Sequence, residues 1–418
     1  MGFCVLFVQL CIAFASTKNC FSAGIPRFSY IGDSTPGIVG SQKETLASIT
    51  TNYWTLENVT RLAEATDEAN IAYFIQVSSS TLPLTERLLS RVHHPENFYA
   101  LHFDKKIPAY RVVKVVSSIK ANPAYGNVHV MERDSVTYRG ITMVLNNLAA
   151  ITDLLKLGHW DYFINLSGSD YPLVSPVVQR KILAMPHVRE RASNFFIVSP
   201  QDQWEDSKRY RFEKIAVDTA LGMSTSEEDS NLVVLKENTP LFSRLKYEYV
   251  KGEGWLILTR EACRYMIESH YARKMLLSMA FSQDASEHYY VSLFRNHPEY
   301  NRTIVPHSLR TVYWKLNGVA SGQHPYVIDK LVEEDGSYAL WKWLLRSPHW
   351  FARKFSIPNS KIMDNIDNHM NGLGPKVNKT SVRECLDRVE HHLHWLYSVL
   401  PQQQQDIIAD KSDDAWPS

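Results

Sequence analysis

The sequence predicts an α/β fold in which strand–helix–strand units build a largely parallel β-sheet. The first observation is that strand-like apolar runs alternate with helical patterns, at about thirty-residue spacing, from Ile71 onward. The second is that the stretch Trp160–Pro176 begins aromatic and apolar, then changes to Ser-Gly-Ser-Asp at residues 167–170. In an open α/β sheet, ligands bind beyond the carboxyl ends of the strands, where such polar loops lie. Together these observations indicate a nucleotide-binding type of half-domain.

The regular half of the chain can be divided into strands and helices by its apolar periodicity. The predicted strands are Ile71–Val77, Phe98–Phe103, Val128–Met131 and Tyr162–Leu166. The predicted helices are Leu84–Val92, Tyr110–Ile119 and Gly140–Leu157. Elements that alternate in this order form right-handed βαβ units around a parallel sheet.

The second half of the chain is less regular. Residues 185–250 are charged and irregular, and we expect an exposed loop at 225–230. Two further strands are predicted, Leu256–Leu258 and Leu309–Trp314. Helices are predicted to begin at Arg260 and at Asp284, and a third helix to cover Ser337–Leu345. Asp284 can cap its helix, with Glu287 at the capping-box position.

After Pro358 the pattern changes to a C-terminal extension. Asn359–Pro375 is predicted to be a loop, and Val382–Leu400 an amphipathic helix followed by a solvated tail. This helix contains His391, His392 and His394, which we interpret as ordinary polar-face histidines and not as metal ligands.

Composition and missing motifs exclude several functions. The 418 residues include 45 basic and 44 acidic side chains, and a net charge of +1 argues against nucleic acid as a partner. With 44% hydrophobic residues, the chain can bury a core. The first strand ends in Ser78–Thr81, so neither phosphate-loop nor dinucleotide glycine motifs are present, and no nucleophile elbow occurs.

The N-terminus predicts entry to the secretory pathway. Met1–Ala15 is apolar, too short to span a bilayer comfortably, and ends in Ala-Phe-Ala, which is typical of a signal peptide or a short signal anchor. Residues 16–69 are interpreted as a stem or lead-in. Sequons at Asn58, Asn301 and Asn378 fit this route. Cleavage would leave Cys20, Cys263 and Cys385, enough for one disulfide and a free thiol but not for a disulfide framework.

Six motifs, in order over about residues 70–356, give the chain a family resemblance. They are Tyr99–Asp104 (YALHFD), Val136–Gly140 (VTYRG), Phe163–Pro172 (FINLSGSDYP), Gly252–Trp255 (GEGW), Ser286-Glu287 and Phe351–Phe355 (FARKF). The sequence thereby resembles the core-2/I-branching glycosyltransferases. That family includes β-1,6-N-acetylglucosaminyltransferases, peptide O-xylosyltransferases and plant β-glucuronosyltransferases, and several motifs here resemble the xylosyl- and glucuronosyl-transferring branch more closely.

The resemblance implies a GT-A-like fold with a βαβ nucleotide-sugar-binding half and a mixed acceptor-binding half. The catalytic domain would cover residues 70–357, with a C-terminal helical extension and tail at 358–418. The implied enzyme is an inverting glycosyltransferase of the ER or Golgi lumen, membrane-anchored through its N-terminal segment or secreted. It would move a sugar from UDP-xylose or UDP-glucuronate to a hydroxyl of a glycan or glycoprotein. Alternatives are a β-1,6-N-acetylglucosaminyltransferase and an inactive sugar-binding relative.

Nine residues match functional positions of the family, with Glu287 as the implied general base. The implied substrate-binding residues are Val77 and Asp104 at the uracil, Tyr138 beside the nucleoside, Asp170, Gly254 and Trp255 near the donor sugar, and Arg353 and Lys354 as a diphosphate clamp. The position of an arginine that relatives use ahead of the clamp falls near Tyr326 in this sequence. The Asp-x-Asp metal motif of most GT-A enzymes is missing at 167–170, so we expect no metal and no other cofactor.

Overall fold

The computed structural model describes residues 67–199, 201–222, 230–238, 247–316, 319–322, 324–329, 344, 347–369, 387–389, 391–393 and 396–397, all within the unit Thr50–Ser418. The predicted signal segment and nearly all of the 16–69 lead-in lie outside these residues, as do 225–229 and most of Ser337–Leu345. The domain boundaries therefore stay a prediction. Within the described part of the chain, no helix has the length and apolarity needed to cross a membrane.

Within the described residues, the strands form one large sheet and four small ones. Their bounds are β1 Ile71–Val77, β2 Phe98–Phe103, β3 Val128–Val130, β4 Tyr162–Ser167, β5 Tyr171–Pro172, β6 Asn194–Phe195, β7 Val198–Ser199, β8 Lys214–Asp218, β9 Leu232–Asn238, β10 Lys251–Gly252, β11 Ile257–Thr259, β12 Ile304–Val305, β13 Arg310–Val312, β14 Lys315–Leu316, β15 Val319–Ala320 and β16 Phe351–Arg353.

The large sheet has seven strands in the order β12-β6-β11-β4-β1-β2-β3. Strands β3, β2, β1 and β4 are parallel, β11 pairs antiparallel with both β4 and β6, and β12 is parallel to β6. The prediction of an α/β fold with a largely parallel sheet is confirmed, and the antiparallel neighbours make the architecture mixed.

Helices connect and cover these strands. Their bounds are α1 Thr85–Val92, α2 Ala109–Ala121, α3 Thr142–Leu157, α4 Pro176–Leu183, α5 Pro186–Glu190, α6 Gln201–Lys208, α7 Tyr210–Glu213, α8 Arg260–Glu268, α9 His270–Ser278, α10 Tyr289–Arg295, α11 Pro298–Asn301 and α12 Lys361–His369. The predicted elements of the first half agree with these bounds within two residues. Residues 185–250, predicted to be irregular, contain several short helices and strands.

Strand β1 shows why the sheet is covered on both faces. Alternate residues, including Tyr73 and Ile75, join an apolar cluster with α1, α2 and α4, while Ala72 and Phe74 join a second cluster with α3 and α8 to α10. This two-residue alternation is the period of a strand. Because both faces are buried, β1 is apolar along almost its whole length.

The prediction of a loop over Asn359–Pro375 is wrong for its first part, which is helix α12. Ile362, Met363 and Ile366 have helical spacing and pack in a third apolar cluster. On another side of the helix, Asp367 contacts both Arg87 and Arg91 of α1, each at 2.9 Å. Contacts with distant segments thus stabilise a helix in a stretch whose sequence predicts a loop.

The C-terminal segment differs from its prediction at His392, which faces inward. Its ring lies 5.2 Å from that of His307 and 5.5 Å from that of His349, and one nitrogen of each ring lies within 4.8 Å of the other two. However, His307 Nδ1 accepts the Leu309 N–H, so neutral His307 carries its proton on Nε2, 3.4 Å from His349 Nε2. This network favours hydrogen-bonded packing over metal binding.

Candidate active site

A pocket of about 300 Å³ lies at the carboxyl ends of the parallel strands, where Gln76 of β1 and Asn165 of β4 contribute to its wall. The residues that line this pocket come from several segments far apart in sequence. Six of the nine predicted site residues line it: Tyr138, Gly254, Trp255, Glu287, Arg353 and Lys354. The structure therefore brings the predicted base and the predicted diphosphate clamp to one cavity.

Glu287 ends a short 3₁₀ helix, Ala285–Glu287, and is held by cations. Its Oε2 accepts a hydrogen bond from Arg211 Nη1 at 2.7 Å and lies 3.7 Å from Lys251 Nζ. The side chain is 34% exposed and faces the pocket. These contacts fix the carboxylate at the cavity wall.

The prediction that Asp284 caps a helix is wrong. Asp284 has a left-handed backbone conformation with φ of 56° and makes no capping hydrogen bond through its side chain. Its carboxylate instead forms a two-point contact with the Arg139 guanidinium, at 2.8 and 2.7 Å, and lies 3.0 Å from Arg211 Nε. Charge pairing thus replaces capping, because Arg139 and Arg211 are brought to this turn by the fold.

The three-stranded sheet β13-β16-β5 assembles the cationic side of the site. Its strands carry Arg310 and Arg353 beside the loop that contains Asp170. Asp170 Oδ1 lies 3.4 Å from Arg310 Nε and 4.0 Å from Arg353 Nε. Asp170 is buried and does not line the pocket, so its observed contacts orient the two arginines.

Sequence reasoning missed Arg310. Its guanidinium lies 4.6 Å from the centre of the Trp255 ring, which also packs against the Arg353 guanidinium at 4.1 Å. Burial lowers the pKa of Arg310 to about 10, although Asp170 opposes this shift. The only sequence signal was an arginine at the start of a predicted apolar strand, which is costly unless it is paired.

The cationic side has unused hydrogen-bonding capacity. The Nε and Nη1 atoms of both Arg310 and Arg353 are buried without a hydrogen-bond acceptor among the described residues. Burial also lowers the pKa of the adjacent Lys354 ammonium, and Arg353 adds to this effect. Buried donors without acceptors are rare in proteins, so this side of the pocket has the chemistry of an anion site.

Aromatic side chains stand at the mouth of the pocket. Tyr138 is 59% exposed, and its ring lies 5.5 Å from that of His324. Trp314, which was not among the predicted site residues, is 46% exposed and lines the same pocket. Exposed rings beside a polar cavity offer stacking surfaces to a base or a sugar.

Two further predicted residues, Val77 and Asp104, lie near this region without lining the pocket. Val77 is fully buried, and its carbonyl accepts the Asp104 N–H at 3.0 Å. The Asp104 carboxylate accepts the Lys106 N–H at 2.9 Å and lies 3.1 Å from Lys106 Nζ. Their contact with a uracil stays a prediction.

Comparisons with known proteins agree with the motifs. The family model described as Core-2/I-Branching enzyme matches residues 71–336. The chain is 31% identical to β-glucuronosyltransferase GlcAT14B of Arabidopsis thaliana, covering 72% of this chain and 66% of the relative. It is 26% identical to xylosyltransferase 2 of Rattus norvegicus, covering 73% and 34%. The chain thus spans just under two thirds of the length of the plant relative and about one third of the rat relative.

Two other matches are more distant. A β-1,3-galactosyl-O-glycosyl-glycoprotein β-1,6-N-acetylglucosaminyltransferase 4 of Danio rerio is 23% identical, covering 76% of this chain and 72% of the relative. Among solved structures, apo WbbM bifunctional glycosyltransferase matches with a TM-score of 0.36 and 8% identity, covering 77% of this chain and 52% of that one. This last similarity is too low to inform the fold. On the family match, which includes most of the strands and the pocket residues up to Pro325, the chain belongs to the core-2/I-branching family of glycosyltransferases.

Proposed function

We propose that this protein is an inverting, metal-independent glycosyltransferase that moves a sugar from a UDP-sugar to a hydroxyl of a protein or glycan. The observation that carries the proposal is the single pocket that contains Glu287 together with Arg353 and Lys354. The names of the plant and rat relatives, a β-glucuronosyltransferase and a xylosyltransferase, support a donor of the UDP-glucuronate or UDP-xylose type.

In the proposed reaction, an acceptor hydroxyl attacks the anomeric carbon of the donor from the side opposite the diphosphate. Glu287 takes the hydroxyl proton as the new carbon–oxygen bond forms. Arg211 and Lys251 both contact Oε2 of Glu287, so Oε1 is the oxygen left for the acceptor. The bond to the diphosphate breaks, and its electrons stay on UDP.

The departing UDP needs positive charge, which Arg353 and Lys354 supply in this proposal. The unused donors of Arg353 can bind phosphate oxygens, and Arg310 below Trp255 reinforces the positive field. Two or three fixed cations perform the neutralising role that a divalent metal has in other enzymes. In this proposal, the GT-A-like fold therefore works without an Asp-x-Asp motif.

The cellular setting follows from the N-terminal prediction and the proposed substrates. A luminal enzyme of the ER or Golgi meets glycoprotein acceptors and UDP-sugars together. The sequon residue Asn301, in α11, belongs to the described part of the chain.

A UDP-release assay tests the proposal directly. Purified protein is incubated with UDP-xylose, UDP-glucuronate or UDP-N-acetylglucosamine and a panel of glycan and peptide acceptors. Acceptor-dependent UDP release with one donor, and a product of inverted anomeric configuration, is the expected result. Preference for UDP-N-acetylglucosamine would favour the N-acetylglucosaminyltransferase alternative. UDP binding without turnover on any acceptor would favour an inactive sugar-binding relative.

A further inference from the structure

Glu253 is an acidic residue that lines the pocket and belongs to neither the proposed base nor the proposed diphosphate clamp. Glu253 is partly buried, and its Oε2 accepts a hydrogen bond of 3.4 Å from Ser308 Oγ. Within the described residues it forms no ion pair with Lys, Arg or His. Burial raises its pKa, against the opposing effect of Arg310. A carboxyl group that lines a cavity with most of its acceptor capacity unused is a candidate ligand contact.

The position of Glu253 is defined by the segment that it begins. A Cβ atom at the following residue, Gly254, would lie 3.5 Å from Ser286 Cβ, next to Glu287. The next residue, Trp255, stacks on Arg353 at 4.1 Å. The segment 253–255 therefore runs between the proposed base and the proposed clamp. The transferred sugar must occupy this interval, because its anomeric carbon lies between the acceptor and the diphosphate.

We propose that Glu253 makes the pocket select a UDP-sugar whose sugar is uncharged, such as UDP-xylose, over UDP-glucuronate. This inference rests on the proposed function and narrows its donor class. Arg310, Arg353 and Lys251 favour the ionised form of Glu253 against the effect of its burial. An ionised Glu253 can accept hydrogen bonds from sugar hydroxyls, whereas the carboxylate of a glucuronate would place a like charge in the same cavity. Two like charges about 6 Å apart, in surroundings with an effective dielectric constant of about 20, disfavour binding by roughly a hundredfold.

Equilibrium binding tests this selectivity without requiring turnover. The affinities of UDP, UDP-xylose and UDP-glucuronate are measured by calorimetry for the wild type, Glu253→Gln and the control Glu268→Gln. Glu268 is a surface residue, 60% exposed, and its substitution removes the same charge outside the pocket. We expect the wild type and the control to bind UDP-xylose at least tenfold more tightly than UDP-glucuronate. Glu253→Gln should reduce this ratio by about tenfold or more, with UDP affinity changed less than about threefold.

Two outcomes would overturn the inference. One is a wild type that binds UDP-glucuronate as tightly as UDP-xylose or more tightly, as a protonated Glu253 that donates to the uronate would produce. The other is a Glu253→Gln variant that binds UDP normally and keeps the wild-type ratio. The wild-type comparison stands even where the variant does not fold. Absence of transfer in the UDP-release assay counts against the proposed function and not against donor selectivity, so the two failures are distinguishable.

Discussion

Replacing Glu287 with glutamine removes the proposed base while keeping the size and hydrogen-bonding shape of the side chain. A glutamine oxygen can still accept from Arg211, which donates to Oε2 of Glu287 at 2.7 Å in the wild type. Arg211 also keeps Asp284 at 3.0 Å, so it is not left without a counter-charge. Because Glu287 is about a third exposed, the lost charge should reduce stability by only about 1 kcal/mol, or roughly 2 °C in Tm.

The effect on the reaction should be far larger than the effect on stability. Glutamine cannot take the acceptor proton, so kcat should fall by about two orders of magnitude or more. UDP affinity should stay within about threefold, because Arg353 and Lys354 are unchanged. The assay is acceptor-dependent UDP release together with UDP calorimetry and thermal unfolding, with Glu268→Gln as the control of equal charge change. A variant with kcat within about threefold of the wild type would show that Glu287 is a structural partner of Arg211 and not the base.

Four further predictions concern the clamp, the buried charge cluster, metal dependence and targeting. Lys354→Ala should weaken UDP binding by about tenfold or more, since the diphosphate loses one of its cations, whereas Lys156→Ala on the surface should not; equal UDP affinities would remove Lys354 from the site. Asp170→Asn should lower the free energy of unfolding by about 3–5 kcal/mol, because Arg310 and Arg353 then lie close together without their shared counter-charge. Denaturant unfolding measures that loss, and a cost below about 1 kcal/mol would contradict this account. Turnover should survive excess EDTA, and activity that disappears and returns with manganese would refute metal independence. Cell fractionation should find the protein in the secretory pathway, and a cytosolic protein that retains Met1 and has no glycans would refute that prediction.

The regular half of the fold could be predicted because its signals are local. The bounds of β1 and β2 follow from apolar runs that both faces of the sheet bury, and α3 follows from helical spacing. The ordered motifs identified the family and six residues that share the pocket. Each of these features depends on residues close in sequence, or on a pattern that recurs in relatives.

Contacts between segments that are distant in sequence could not be predicted in the same way. The local sequence predicts that Asp284 caps a helix. Asp284 forms ion pairs instead, because the fold brings Arg139 and Arg211 to its carboxylate. The sequence of α12 predicts a loop, because the burial of this helix against Tyr171 and its ion pairs with α1 are not visible in its own residues.

By itself, then, the sequence determined the α/β class, the strand–helix order of the first half, the family and the candidate base and clamp. Only the tertiary structure placed Arg310 under Trp255, set Asp170 between two arginines and left Glu253 facing the pocket without an ion pair among the described residues. The physical reason is that backbone periodicity and side-chain burial are encoded within short windows. The charge environment of a side chain depends instead on which distant strands and loops the sheet brings together.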